Sequence, residues 1–462
     1  MNVSTSQFIW NGIDLEALRQ VMDQPADDAV SEIFKSKSMD HLRSVLKGMA
    51  QNDSFVTKEF PDVLHDFVEN ELKIRFTSED IEMFNQAHEI WKEHGMNFVF
   101  ILFFRALPYT YMAEKPANVL TTTKLLVTHT ERRVFETAQF VFDVMDKNWW
   151  EPDKRGILTA LKVRIMHAAM RHIILARTAE EKWNEAWGKP ISQEDLIATN
   201  QVFSLEFFKG MEYLGETLNA DQQKAWFHTW KTIGKIMGVE DRLISKDVNE
   251  AWTLQHTVYA HLFKDKTIAG IPLTRALVDT LQHFHLPQRL ILLIMRRMLA
   301  DEQFPDCFER MLKPTFKDQY PEIFEKHESE EGKEKHKALL DDHFHTHLRE
   351  YYHKMKEIRP NYQTTKPKAS LLERILFFLL QLFGKGKKQI HLIDIQLERL
   401  HKNLHIEGTN NPVDELEEDV ILDSMAALGG IMVGILSFHF RKGKDSGFRI
   451  PDNLKDNWAL KG

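Results

Sequence analysis

The sequence predicts an all-α protein, and three observations support this fold class. Apolar residues recur with a helical period over most of the 462-residue chain. Glycine and proline are sparse, at 20 and 15 residues, and we find no stretch of clean apolar–polar alternation beside an Asn-Gly or Asp-Gly turn. Helix starts are marked by polar caps with acidic first turns, at Ser78 and Ser192. We therefore expect a large helical core.

Composition and charge exclude several classes of protein. Hydrophobic residues make up 43% and charged residues 28%, which is ordinary for a soluble globular chain. The net charge of −8, without a basic stripe interleaved with aromatic residues, argues against nucleic-acid binding. The single cysteine, Cys307, excludes an internal disulfide and a cysteine-based metal cage. With no secretory signal at the N-terminus, we expect a cytoplasmic location. The sequence does not define the oligomeric state.

The pattern divides the chain into three regions. Residues 1–75 read as short polar helices that form an N-terminal cap. Residues 76–305 carry the strongest helical periodicity and form the main body of the protein. Residues 306–462 form a helical C-terminal extension, because the composition shifts near 305 toward charge and histidine.

Inside the main region, several helix ends can be assigned. We expect a helix from Ser78 toward His94 with Gly95 as its stop. The apolar run FVFILFF at residues 98–104 is too short to span a bilayer and predicts a separate buried helix, ended by Leu107-Pro108. Other helices are expected over residues 131–145, from Ser192 to Gly215, and over residues 220–237.

The candidate site lies in the stretch KVRIMHAAMRHII, which begins at Lys162. Arg164, His167 and Arg171 fall at i, i+3 and i+7, so they share one helical face. The two alanines after the histidine leave room for a broad, flat group. This pattern suits haem, with His167 on the iron and the arginines paired with the propionates. The pattern alone leaves open a second reading, in which His167 is a hydrogen-bonded core residue.

A second polar pair lies upstream of the histidine. Arg133 and Thr137 are one turn apart, beside Glu136, on a helix face that becomes apolar further along. Polar groups on such a face need partners if they are buried. The alternative is an arginine at the surface edge and a threonine that bonds its own helix.

The C-terminal extension holds two short apolar stretches and a histidine pair. The segment from Leu371 to Lys388 has an apolar helix followed by lysines, and it could make a peripheral contact with an anionic membrane. Residues 425–438 are similar. Packing of both helices against the main body is the alternative. His343 and His347, at i and i+4, could hold a metal ion, although their surroundings are charged and solvated.

Between about Phe98 and Leu243 the sequence resembles the catalytic domain of the rubber oxygenase (latex-clearing protein) family, which also includes the MpaB-type oxygenases. Several short pieces match in the family's order, and Arg133 and His167 are 34 residues apart, similar to the family spacing. The pieces are Leu107-Pro108 with Tyr111, Arg133-x-x-x-Thr137, VRIMHAAMRH at residues 163–172, PISQEDL at residues 190–196, and Trp230 with Gly234 and Gly238.

The resemblance implies a fold and a set of roles. The family fold is all-α, with a globin-like arrangement of helices around a b-type haem. His167 corresponds to the proximal iron ligand, and Arg133 and Thr137 to the arginine and threonine that line the haem pocket. A lysine that can cap the iron in the rubber-cleaving members is replaced by Glu136. The general base would lie upstream, where Glu114 is the nearest candidate.

The function implied by the resemblance is that of a haem b-dependent oxygenase. Such a protein would use O₂ to cleave or oxygenate an apolar substrate, of which isoprenoids are one class. Two alternatives remain at this point. One is a haem-binding sensor or carrier without turnover, and the other is a helical, membrane-peripheral scaffold with a decayed haem site.

Overall fold

The described chain begins in a short antiparallel hairpin. Strands β1 (Ile9–Trp10) and β2 (Ile13–Asp14) pair with Ile9 opposite Asp14 and Trp10 opposite Ile13. Asn11 and Gly12 both have a positive φ, at 47° and 79°, as a tight two-residue hairpin turn requires. This Asn-Gly pair is a turn signal that the sequence analysis overlooked.

The remainder of the described chain is helical, which confirms the predicted fold class. The structure, a computed structural model, describes residues 8–36, 62–122, 130–151, 155–176, 183–282, 286–326 and 329–364. The α-helices are α1 (Leu15–Leu18), α2 (Gln24–Ser36), α3 (Asp62–Glu71), α4 (Ser78–Ile101), α5 (Leu107–Met112), α6 (Glu114–Thr122), α7 (Thr130–Val144), α8 (Arg155–Leu175), α9 (Gln193–Tyr213), α10 (Ala220–Ile236), α11 (Val248–Leu262), α12 (Gly270–Gln282), α13 (Gln288–Met298), α14 (Cys307–Phe316) and α15 (Glu330–Thr364).

Helix α4 corrects two predicted helix ends. It starts at a capping box between Thr77 and Asp80, runs through Gly95, and continues as a π-helical turn, Leu102–Ala106, directly into α5. The predicted stop at Gly95 and the predicted break at Leu107-Pro108 are therefore wrong. The apolar run that follows Gly95 is buried on every side, and this burial outweighs the cost of about 1 kcal/mol for glycine inside a helix.

Other helix ends are where the sequence places them. Helix α9 starts at a capping box between Ser192 and Asp195. Gly215 and Gly238 follow α9 and α10 with φ of 74° and 93°, the left-handed conformation that ends many helices. The apolar pattern of residues 275–300 is divided between α12 and α13.

One hydrophobic core joins parts of all three predicted regions. Leu15 and Leu18 from the N-terminal region and Cys307 and Phe308 from beyond residue 305 belong to the same buried cluster as the main helices. Helix α2 packs along α8, and α14 packs along α12. The division of the chain into three domains stays a prediction.

The membrane prediction concerns residues outside the described chain. The segment from Leu371 to Lys388 and residues 425–438 both lie beyond residue 364. Within the described ranges, no helix combines the length and the apolar character needed to cross a membrane.

Candidate functional site

Helices α7 and α8 carry the candidate residues and pack side by side. Arg133 and Thr137 are on α7, and Arg164, His167 and Arg171 are on α8. The start of α8 is held close to the preceding turn, since a Cβ on Gly156 would lie 2.6 Å from the Trp149 backbone oxygen. Only glycine allows this approach.

Arg164 is a buried arginine with its own carboxylate partner. Its guanidinium donates to Asp23 at 2.7 and 2.9 Å, lies 3.1 Å from Glu71, and covers the ring of Phe67. Desolvation by burial would lower the pKa of Arg164, but the hydrogen bonds and charges of Asp23 and Glu71 raise it. Arg164 is therefore charged and fully engaged within the chain.

The Arg164–Asp23 pair explains the glycine that follows α10. Gly238 has φ of 93°, and a Cβ added there would lie 2.1 Å from an Asp23 carboxylate oxygen and 2.8 Å from Nε of Arg164. The residue must accept a left-handed backbone and leave space for the ion pair. Glycine meets both requirements.

Arg171 makes a similar pair one turn further along α2. Its Nε donates to Asp27 at 2.7 Å, and a second nitrogen donates to the Ile191 carbonyl at 3.2 Å. Burial raises the pKa of Asp27, while the charge of Arg171 opposes that change. Propionate pairing by Arg164 and Arg171 stays a prediction, and a propionate would have to compete with Asp23 and Asp27.

His167 lies on a half-buried part of α8, and its Nδ1 atom is shielded from solvent. Val163, Met166 and Met170, which neighbour it on the helix surface, are also half-buried and apolar. By contrast, Ala168 and Ala169 are 0% and 1% exposed, so the chain itself covers them. The apolar surface beside His167, and not the alanine pair, is the part of α8 that a ligand could reach.

On α7, Thr137 and Glu136 are half-buried, and Phe140 is 8% exposed one turn after them. Arg133 is one turn before Thr137 in the same helix. The structure therefore places Arg133, Thr137 and His167 on two helices in direct contact, and their shared role in a haem pocket stays a prediction. The side chain of Arg133 lies outside what the structure describes.

Asp143 is a buried acid at the junction of α7 and α8 that the sequence analysis missed. It accepts hydrogen bonds from Gln139 and Thr159, both at 2.7 Å. Burial raises the pKa of Asp143 to about 6, against the opposing effect of these hydrogen bonds. The sequence does carry a signal for this buried acid, because Asp143 is the single charged residue in the apolar run FVFDVM.

Glu114 has a structural partner. Its carboxylate accepts hydrogen bonds from the backbone N–H groups of Ile268 and Ala269, at 2.6 and 2.8 Å, just before α12. It also accepts from the side chain of Asn118. These bonds join α6 to the start of α12, so we do not use Glu114 as a general base.

The described side chains offer a haem an imidazole, and they do not form a metal cage of their own. Across the described ranges, no group of three or more His, Cys, Asp and Glu side chains could hold a metal ion. His343 contacts the guanidinium of Arg289 at 2.7 Å, and His347 contacts Glu350. A haem needs only one imidazole and an apolar surface from this part of the chain, and His167 with its neighbours offers both.

Fold and site together describe a helical protein in which His167 lies on a half-buried, apolar part of α8, beside α7. The sequence model of the family described as "ER-bound oxygenase mpaB/B'/Rubber oxygenase, catalytic domain" matches residues 91–324, about half of the chain. The chain belongs to this family, which confirms the resemblance. The match begins before Phe98 and ends after Leu243, the limits between which the resemblance was drawn.

Two similar proteins agree with this assignment. The rubber oxygenase of Streptomyces sp. (strain K30) is 23% identical over 243 residues, which are 50% of this chain and 56% of that protein. The chain thus matches little more than half the length of this curated relative. The structure of latex clearing protein LCP in the closed state superposes with a TM-score of 0.58 at 18% identity, covering 94% of this chain and 95% of that one. The superposition shows that the two chains share a fold.

Proposed function

We propose that the protein is a haem b-dependent oxygenase that acts with O₂ on an apolar substrate, and isoprenoids are the first class to test. The observation that carries this proposal is the position of His167. It is a half-buried imidazole on an apolar part of α8, inside the region matched by an oxygenase catalytic domain, and α7 with Thr137 packs alongside. When bound, haem supplies the O₂ chemistry.

Each residue has a role in the proposed site. His167 would hold the haem iron, which requires the neutral imidazole. Val163, Met166 and Met170 provide an apolar wall that favours an apolar substrate and excludes water. Thr137 presents a hydroxyl group from the neighbouring helix, and Arg133 is placed one turn before it. Arg164 and Arg171 hold α2 against α8.

One observation favours a second function, a haem-binding sensor or carrier. Glu136 is half-buried on α7, at the position where the resemblance leads us to expect a lysine. A carboxylate cannot act as a neutral amine ligand, so the charge at this position of α7 differs from that in the rubber-cleaving members. The scaffold alternative, the membrane contact through the segment from Leu371 to Lys388, and the cytoplasmic location stay predictions.

Oxygen uptake separates the two functions. We would load the full chain with haem, add isoprenoid hydrocarbons of increasing length, and measure O₂ consumption together with oxygenated products. An oxygenase consumes O₂ in proportion to product, and boiled protein does not. If the protein binds haem stably but consumes O₂ no faster with an isoprenoid than without one, the oxygenase proposal is contradicted and the carrier is supported.

A further inference from the structure

A cavity of about 620 Å³ lies apart from the paired helices α7 and α8. Its walls come from the last turn of α9, the last turns of α13, the segment before α15, and the first half of α15. The volume is within the range of small-molecule sites. Because α7 and α8 contribute no lining residue, the cavity is separate from the proposed oxygenase site.

The inner wall of this cavity is apolar and fixed in place. Leu293 and Phe344 are 4% and 1% exposed, and Leu340 is half-buried beside them. Tyr213 completes the wall. Its hydroxyl donates to the Ala300 carbonyl, and its ring lies 5.0 Å from the buried guanidinium of Arg105. Side chains held by such contacts give a preformed surface for an apolar group.

The remaining walls of the cavity are predominantly cationic. Five positively charged side chains line them, against two carboxylates, in a chain whose net charge is −8. The cations are Arg296, Arg297, Lys326, Lys333 and Lys337, and the carboxylates are Glu212 and Glu325. Glu212 lies 3.1 Å from Lys209 and Lys333 lies 2.5 Å from Glu330, so one charge of each sign is partly neutralised and the excess of cations remains. The local potential therefore favours an anion.

Arg296 differs from the deeply buried arginines in its contacts. Arg19, Arg105, Arg164 and Arg171 each pair with an aspartate or glutamate. Arg296, which is half-buried, donates to the Ile323 carbonyl and lies over the Phe308 ring at 5.7 Å. Burial lowers the pKa of Arg296, and the charge of Glu309 opposes this change. Among the described residues, no carboxylate is within ion-pair distance of it. A partly desolvated guanidinium at a cavity wall is a place where a bound anion would be stabilised.

We propose that this cavity binds an amphipathic organic anion. The carboxylate or phosphate head would lie against Arg296, Lys326 and Lys337. The apolar tail would pack on Leu293, Leu340 and Phe344. The ligand is a single amphiphile inside the cavity, and this function is independent of the proposed haem chemistry.

Calorimetric titration of the full chain with dodecyl phosphate, below its micelle concentration, tests the proposal. We expect saturable binding of one molecule, weakened by added salt because the head group is held by charge. Inorganic phosphate lacks the tail and dodecanol lacks the charge, so each should bind at least about tenfold more weakly. Equal binding of dodecanol would contradict the role of the cationic wall.

Charge reversal locates the binding site. Lys326 and Lys337 are exposed, so the Lys326→Glu/Lys337→Glu double variant should keep its fold, which circular dichroism checks. We expect about tenfold weaker binding of dodecyl phosphate. Lys224→Glu/Lys235→Glu, a pair of exposed reversals on α10 outside the cavity, changes the net charge by the same amount and is the matched control, which should bind like wild type.

Two results would overturn the proposal. One is an equal loss of affinity in the control and in the double variant, which would mean that only net charge matters. The other is binding to vesicles containing anionic phospholipid without binding of monomeric dodecyl phosphate. That result would assign the cations to a membrane surface and not to a ligand inside the cavity.

Discussion

At the scale of single residues, the charges on α8 have two different environments. Arg164 and Arg171 point to carboxylates at the start of α2, whereas His167 lies on the half-buried apolar surface. Arg164 is 6% exposed, and a buried guanidinium requires a counter-charge. Asp23 supplies this counter-charge. The histidine is therefore the group on α8 that remains suited to a ligand.

Replacing Asp23 tests the structural role assigned to Arg164. Asp23→Asn leaves a buried guanidinium without its main counter-charge. We therefore expect the free energy of unfolding to fall by about 3–5 kcal/mol. Urea unfolding of the haem-free protein measures this change. Asp28→Asn, at an exposed position on the same helix, should change stability by less than about 0.5 kcal/mol. Unchanged stability together with tighter haem binding in Asp23→Asn would instead favour a propionate as the partner of Arg164, because the competing carboxylate is removed.

In the proposed site, the Thr137 hydroxyl group acts on the reaction with O₂ and does not hold the haem. Thr137→Val keeps the volume and removes the hydroxyl group, so we expect haem to stay bound and O₂ uptake to fall about tenfold or more. Thr232→Val is the matched control, because the Thr232 hydroxyl bonds the carbonyl of His228 in its own helix. Equal turnover in wild type and Thr137→Val would remove Thr137 from the catalytic residues.

At the scale of elements, the junction of α7 and α8 depends on a buried acid. Asp143 accepts hydrogen bonds from Gln139 on α7 and from Thr159 on α8. Burial raises its pKa from the ordinary value of 3.8 to about 6. Between these two values the unfolded chain binds fewer protons than the folded one, so the contribution of Asp143 to stability is present at low pH and decreases as the pH rises.

Asp143→Asn tests this pH dependence. Relative to the variant, the wild-type protein should lose roughly 2 kcal/mol of stability as the pH rises from about 4 to about 6. Urea midpoints measured at several pH values give the difference. Asp221→Asn, at an exposed position in the first turn of α10, serves as the control. Parallel pH profiles for wild type and Asp143→Asn would contradict the raised pKa.

At the scale of the whole molecule, the N-terminal region is part of the core. Arg19 is fully buried and pairs with Asp195 at the start of α9, and its guanidinium also donates to the Trp187 carbonyl. Helix α2 adds Asp27, and Leu15 and Leu18 join the main hydrophobic cluster. These contacts connect residues 8–36 to the helices that carry the candidate site.

Deletion of residues 1–36 should therefore damage the entire fold. It removes the partners of Arg164 and Arg171 and exposes part of the core. We expect the shortened chain to lose its cooperative unfolding transition, followed by circular dichroism on heating. A transition with the wild-type midpoint would show that residues 1–75 form a separable cap, as the sequence predicts.

The sequence was sufficient for local features and not for pairings over long distances. The helical period, the cap at Ser192 and the glycines after α9 and α10 depend on neighbouring residues, so they could be predicted. Helix α4 runs through Gly95 because the residues that follow are buried against other helices. Neighbouring residues in the sequence do not indicate this burial. Likewise, the partners of Arg164 and Arg171 are more than 140 residues away and could not be assigned from spacing.

The absorption spectrum of the haem-loaded protein tests the central claim most directly. Wild type, His167→Ala and His172→Ala would be expressed with a haem precursor and compared at equal folded concentration. His172 is the matched control, because it is on the same helix and stacks on Phe34 at 3.6 Å. We expect a Soret band in wild type and in His172→Ala, and its loss in His167→Ala. A full band in His167→Ala, or no band in folded wild type, would contradict the assignment of His167 as the haem ligand.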